Sequence, residues 1–132
     1  MYTHLNKLAR ELGLPDARFL YALSSRESGW LNVENTWLHN LFGLTMGGKD
    51  NLGFDSIGQA VAYWHCKYDS YVQGKSTMDL FMGGLKKVPY NTDPSYYDHD
   101  KWADQLQSVD KWSARFGYRQ VKQDSLIVLL PA

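Results

Sequence analysis

The chain has one cysteine, Cys66, so no internal disulfide can form and its stability must come from packing and hydrogen bonding. Net charge is also missing. Fourteen basic residues balance fourteen acidic ones, which removes the electrostatic drive toward nucleic acid, and no nucleic-acid partner is expected. Long apolar runs are absent as well. Leu126-Ile127-Val128-Leu129-Leu130 falls far short of the roughly 20 residues that cross a bilayer, so membrane insertion is not expected. The stretch Met1-Tyr2-Thr3-His4-Leu5 lacks the basic and apolar segments of a secretory signal, from which synthesis in the cytoplasm is expected. His4, His39, His65 and His99 show no His-x-x-x-His spacing, and Met46-Gly47-Gly48-Lys49 is too short for a phosphate-binding loop. Neither a metal nor a cofactor is expected.

What is present suits one soluble domain over residues 1–132. Aromatics reach 14%, with five Trp and nine Tyr, and flat rings with polar tips suit both core packing and contact with sugars. Leu5, Leu8 and Leu12 mark one face of a first helix, closed by Gly13. A second is expected from about Pro15, with Phe19, Leu20 and Leu23 on its apolar stripe and Gly29 at its end. Periodicity then fades from Trp30 to Phe54, which reads as loops with a short hairpin. Ser56 and Gln59 have the form of a capping box, ahead of a stripe of Ile57, Val61, Trp64, Tyr68 and Tyr71. In this apolar stretch Cys66 is expected in the core. Ser76 is expected to cap a shorter helix, and Asp93-Pro94 to start another that runs through Trp102, Leu106, Val109, Trp112 and Phe116 to Gly117. About five helices and a loop-rich insertion make a mainly α domain.

Glu27 is out of place on this map. On a wheel of about 100° per residue it falls four residues after Leu23 and seven after Leu20, inside the apolar arc of the second helix. Burial and the negative end of the helix dipole both push a carboxyl pKa upward there, and a carboxyl that keeps its proton near neutrality is what general-acid catalysis requires. The alternative is an ion pair with a neighbouring Arg or Lys, or an exposed helix end. The wheel leaves both open.

Three separated segments narrow the choice. Arg26-Glu27-Ser28-Gly29-Trp30, Asn40-Leu41-Phe42-Gly43-Leu44 and Tyr90-Asn91-Thr92-Asp93-Pro94-Ser95-Tyr96 resemble, in order and spacing, motifs of the bacterial and phage endo-β-N-acetylglucosaminidases of the lysozyme superfamily. The resemblance spans residues from about 15 to 116 and leaves 117–132 outside. It implies a lysozyme-like α-helical domain with a reduced β region, acting on bacterial peptidoglycan. It further implies that Glu27 is the proton donor, that Tyr90 positions the reacting sugar or a water, and that Asn40, Phe42 and Trp30 contact substrate. Tyr90 also reads as a packed aromatic ahead of a helix, Phe42 as a core plug, and Asp93 as a structural cap.

The chain departs from the family where a second carboxyl belongs. Only Thr45 to Gly53 lies between the Asn-Leu-Phe-Gly loop and Phe54, so the candidates for a second acid are Asp50 and Asp55. Hydrolysis, substrate-assisted cleavage and lytic transglycosylation to 1,6-anhydro ends all stay open, as does a non-catalytic wall-binding module. With no secretory signal in view, a bacteriolytic endolysin delivered through a holin, or an enzyme carried in a virion, is the expected setting.

Overall fold

The computed structural model describes residues 2–28, 39–46 and 50–132, with backbone only for Tyr2, Met46 and Asp50. Leu5, Leu8 and Leu12 are fully buried on one face of α1 (Tyr2–Glu11), and Gly13 closes the turn with φ +66°, as the spacing predicts. The next helix, α2 (Arg18–Ser28), starts three residues later than Pro15, because Asp16 holds the chain back. Its carboxylate accepts the Arg18 N–H at 2.9 Å and takes the Arg18 guanidinium in three bonds of 2.7, 3.0 and 3.1 Å. Every side chain of α2 from Phe19 to Ser25 is buried, so α2 is the central helix, packed against α1, α5 and the last strand.

The insertion contains a hairpin of two-residue strands, β1 (Thr45–Met46) and β2 (Asp50–Asn51). The capping box then forms as expected, with Gln59 N–H donating to Ser56 Oγ at 3.1 Å. Gln59 Oε1 reaches one residue further back and accepts from Asp55 N–H. In α3 (Ile57–Val72) the buried row is Ala60, Trp64, Tyr68 and Val72, spaced four apart. Tyr71, expected on that stripe, is 38% exposed. Cys66 is exposed too, a correction to the core assignment: two residues from Trp64, it points about 200° away around the helix. The cap of α4 (Met78–Lys86) is Thr77, not Ser76, with Thr77 Oγ1 accepting from Leu80 N–H at 3.1 Å.

Asp93 caps, as its place before Pro94 predicts, but it caps a 3-10 turn (Pro94–Tyr97) rather than a long helix. Asp98 is extended, and α5 (His99–Arg115) begins after it. The short turn lets two tyrosines face inward: Tyr96 is buried, and Tyr97 Oη both donates to Asn91 O and accepts from Asn91 N–H at 2.7 Å. Residues 117–132 form the second hairpin, β3 (Tyr118–Gln123) and β4 (Leu126–Pro131). Leu126, Val128 and Leu129 of β4 are buried, and Ile127 exchanges backbone hydrogen bonds with Pro15 and Ala17. Asn6, itself buried, donates to Leu129 O at 2.8 Å and accepts from Tyr21 Oη at 3.0 Å, which ties α1, α2 and β4 together.

Candidate active site

Glu27 lies one residue from the end of α2, half-buried, at the wall of a cleft of about 330 Å³. The loop that carries Asn40 to Leu44 passes directly against its backbone. Gly43 has φ +62°, and a Cβ there would run into the Glu27 carbonyl oxygen, so only glycine permits this approach. Ser24 Oγ, one turn earlier on α2, donates to Leu41 O at 2.8 Å and fixes the same loop from the other side. The first and second sequence motifs are thus locked to each other through backbone.

The third motif supplies Glu27 with a partner. Tyr96 Oη donates a hydrogen bond to Glu27 Oε1. Burial raises the Glu27 pKa above its ordinary value; the Tyr96 hydrogen bond and the charge of Arg26 pull it partly back. Burial and the nearby carboxylate hold the Tyr96 hydroxyl far above its ordinary pKa, so it stays a donor. Tyr90 behaves similarly: its hydroxyl accepts from Trp64 Nε1 at 3.2 Å, and burial together with the charge of Glu27 pushes its pKa well up. Both tyrosines therefore keep their hydroxyl protons, and Tyr96 donates its own to the Glu27 carboxyl. They join a run of aromatic contacts, Phe42 on Trp64 (ring centroids 4.8 Å apart), Trp64 on Tyr68 (5.3 Å), Tyr68 on Tyr90 (5.0 Å) and Tyr90 near Tyr96 (6.4 Å).

Of the residues singled out from sequence, Glu27, Phe42 and Tyr90 meet at the cleft, with Tyr63, Lys67 and Tyr68 of α3 along another side. Phe42 is 1% exposed and stacked on Trp64, so it forms floor rather than a free sugar platform. Asn40 lies beneath the cleft: fully buried, it accepts from Leu44 N–H at 2.9 Å and donates to Leu44 O at 2.7 Å. The expectation that Asn40 contacts substrate is corrected accordingly, since the side chain is fully buried and both ends of its amide close the loop. Asp55 is exposed on the turn before α3 and does not line the cleft. Trp30 and the side chain of Asp50 lie outside the described residues. Glu27 is the only carboxyl among the described residues that line the cleft. No group of His, Cys, Asp and Glu suited to a metal occurs among the described residues. Tyr96 lies in the third motif, where the sequence assigns it no role; its signal is its place three residues after Asp93, on the inner side of a single turn.

No protein-family model and no curated protein matches the sequence. Solved structures do match. A peptidoglycan hydrolase from Sphingomonas sp. A1 is 27% identical with a TM-score of 0.64, over 80% of this chain and 82% of that one. A type VI secretion system effector-immunity complex from Pseudomonas protegens contains a chain 21% identical with a TM-score of 0.68, over 82% and 84%. The glycoside hydrolase domain of Salmonella typhimurium FlgJ is 18% identical with a TM-score of 0.59, over 87% of each chain. The last two likenesses concern the fold alone, whereas the first accompanies the three-motif resemblance. The chain thus has a mainly α, lysozyme-like fold, and the neighbours that share it include a peptidoglycan hydrolase and a glycoside hydrolase domain, in keeping with the motif resemblance.

Proposed function

We propose that the protein cleaves the glycan strand of bacterial peptidoglycan, between N-acetylglucosamine and N-acetylmuramic acid, with Glu27 as general acid. The observation that carries this reading is a half-buried carboxyl of raised pKa at a cleft wall, oriented by the Tyr96 hydroxyl. Glu27 passes its proton to the glycosidic oxygen as the bond to C1 breaks, and the leaving sugar departs as an alcohol. Positive charge develops on the ring that remains. Tyr90, within electrostatic reach of Glu27, orients the group that then attacks C1. Attack by water, which loses its proton to the Glu27 carboxylate, gives a reducing end.

A second reading rests on the lone carboxyl of the described cleft lining. With no second carboxyl among the described lining residues, the sugar's own 6-hydroxyl can close on C1 and return a proton to Glu27, giving a 1,6-anhydro end. Delivery to the wall by a holin or within a virion, with a bacteriolytic outcome, belongs to the proposal also.

The test is to digest peptidoglycan, reduce with borohydride and identify the new ends by mass spectrometry. Reducing N-acetylglucosamine supports a glucosaminidase, reducing N-acetylmuramic acid a muramidase, and 1,6-anhydro ends a transglycosylase. Intact strands would overturn the enzymatic reading in favour of a binding module. Glu27→Gln keeps volume and removes the acid, so turnover is expected to fall by about a hundredfold or more.

A further inference from the structure

Lys67 is the cation among the described residues that line the cleft, and its contacts among them are with aromatic rings rather than with a carboxylate. Lys67 sits one helical turn after Tyr63 on α3, so the two side chains share a face. Its Nζ lies 5.8 Å from the Tyr63 ring centroid and 5.4 Å from that of Tyr68. All three line the same cleft as Glu27. Among the described residues no carboxylate lies within ion-pairing distance of Lys67, although α3 carries Asp69 two residues on. Tyr63, with Phe54 tilted against its ring at 5.5 Å, is still 41% exposed, which leaves part of the ring and the ammonium together at the solvent side of the cleft. An aromatic ring beside an ammonium that no described carboxylate neutralises is complementary to a sugar that bears a carboxylate: the ring packs on C–H groups while the ammonium meets the charge. A neutral N-acetylglucosamine offers that ammonium hydroxyl and amide oxygens but no counter-charge.

We propose that Lys67 and Tyr63 form a subsite for the acidic substituent of a muramyl residue, so that the cleft distinguishes carboxylate-bearing glycan from its neutral counterpart. The proposal rests on the glycan-binding reading of the cleft but not on catalysis. In peptidoglycan the carboxylate is that of the 3-O-lactyl group, or of the stem peptide attached to it. Either one extends from the sugar ring by several bonds. Lys67, exposed on a long flexible stem, can follow it.

Binding separates the claims. Calorimetric titration of Glu27→Gln, which holds glycan without cleaving it, compares a tetrasaccharide of alternating N-acetylglucosamine and N-acetylmuramic acid, lactyl carboxylates free, with neutral tetra-N-acetylchitotetraose. The acidic ligand is expected to bind about fivefold more tightly at low salt, the scale of one exposed charge pair. In Glu27→Gln/Lys67→Met the ratio of the two dissociation constants is expected to fall to about one, and Lys67→Arg in the same background is expected to retain it. High salt is expected to erode the ratio as the methionine does. Equal affinity for both ligands before Lys67 is replaced, binding of neither, or loss of affinity for both with the ratio intact would each overturn the subsite. Cleavage of peptidoglycan by the unaltered protein, measured alongside, reports on the hydrolase reading by itself.

Discussion

At the scale of the residue, the chemistry depends on how one carboxyl is held. Tyr96 does two things to Glu27: it fixes one oxygen, and its hydrogen bond stabilises the anion against the desolvation that raises the pKa. In Tyr96→Phe the orienting bond is lost and the Glu27 pKa rises further. Turnover is expected to drop while the alkaline limb of the kcat profile moves to higher pH; a pH profile of unchanged shape would assign Tyr96 to packing alone. The raised pKa of Glu27 also has a stability consequence. The folded protein binds this proton more tightly than the unfolded chain, so the group's contribution is complete below the ordinary value of 4.5 and is lost as pH rises through the folded-state value. Glu27→Gln is therefore expected to melt above the unaltered protein at neutral pH, with the gap closing below 4.5, and thermal melts across that range check it. A lower melting temperature for the glutamine variant at neutral pH would mean that Tyr96 and Arg26 overcompensate for burial.

At the scale of the element, the site is where three pieces of chain are forced together. The Asn40–Leu44 loop lies so close to the end of α2 that Gly43→Ala would set a Cβ against the Glu27 carbonyl in a left-handed backbone conformation. A loss of roughly 2–4 kcal/mol is expected, combining the conformational strain with forced repacking, together with lost turnover because the displaced backbone carries the acid. Chemical denaturation and activity on peptidoglycan measure the two effects; a fully stable Gly43→Ala would remove the loop from the account of how Glu27 is placed. Periodicity located α1 and α3 well, because each buries a row spaced by three or four residues, as Leu5, Leu8 and Leu12 do, whereas α2 is buried continuously from Phe19 to Ser25 and its stripe is only part of what it packs. It failed at Tyr71 and Cys66, where an apolar run on an amphipathic helix extends past the buried stripe onto the open face. It also failed between Asp93 and His99. There a cap signal is common to α and 3-10 turns, and only the inward packing of Tyr96 and Tyr97 decides between them.

At the scale of the whole molecule, the C-terminal hairpin is part of the core. Leu126, Val128 and Leu129 are buried, and at about 1.5–3 kcal/mol for each side chain their burial matches most of a typical domain's net stability. A chain that ends at Gly117 is expected to lose its cooperative thermal transition by circular dichroism, and an unchanged melting temperature would show the hairpin to be dispensable. The helices, the Ser56 cap, the Asn-Leu-Phe-Gly loop and the anomalous position of Glu27 were all readable in the sequence, because each depends on neighbours within one or two turns along the chain. The sequence also showed that residues 126–130 were apolar, but not whether they formed a strand or helix or faced a partner. Tertiary structure decided that β4 docks on Asn6 and on the link between α1 and α2. It likewise turned Asn40 into a loop clasp, left Asp55 outside the cleft, and brought Tyr96 to Glu27 across 69 residues of sequence. Those outcomes rest on contacts between distant segments, and a local pattern cannot specify which of several buried tyrosines will reach one carboxyl until the helices that carry them have packed.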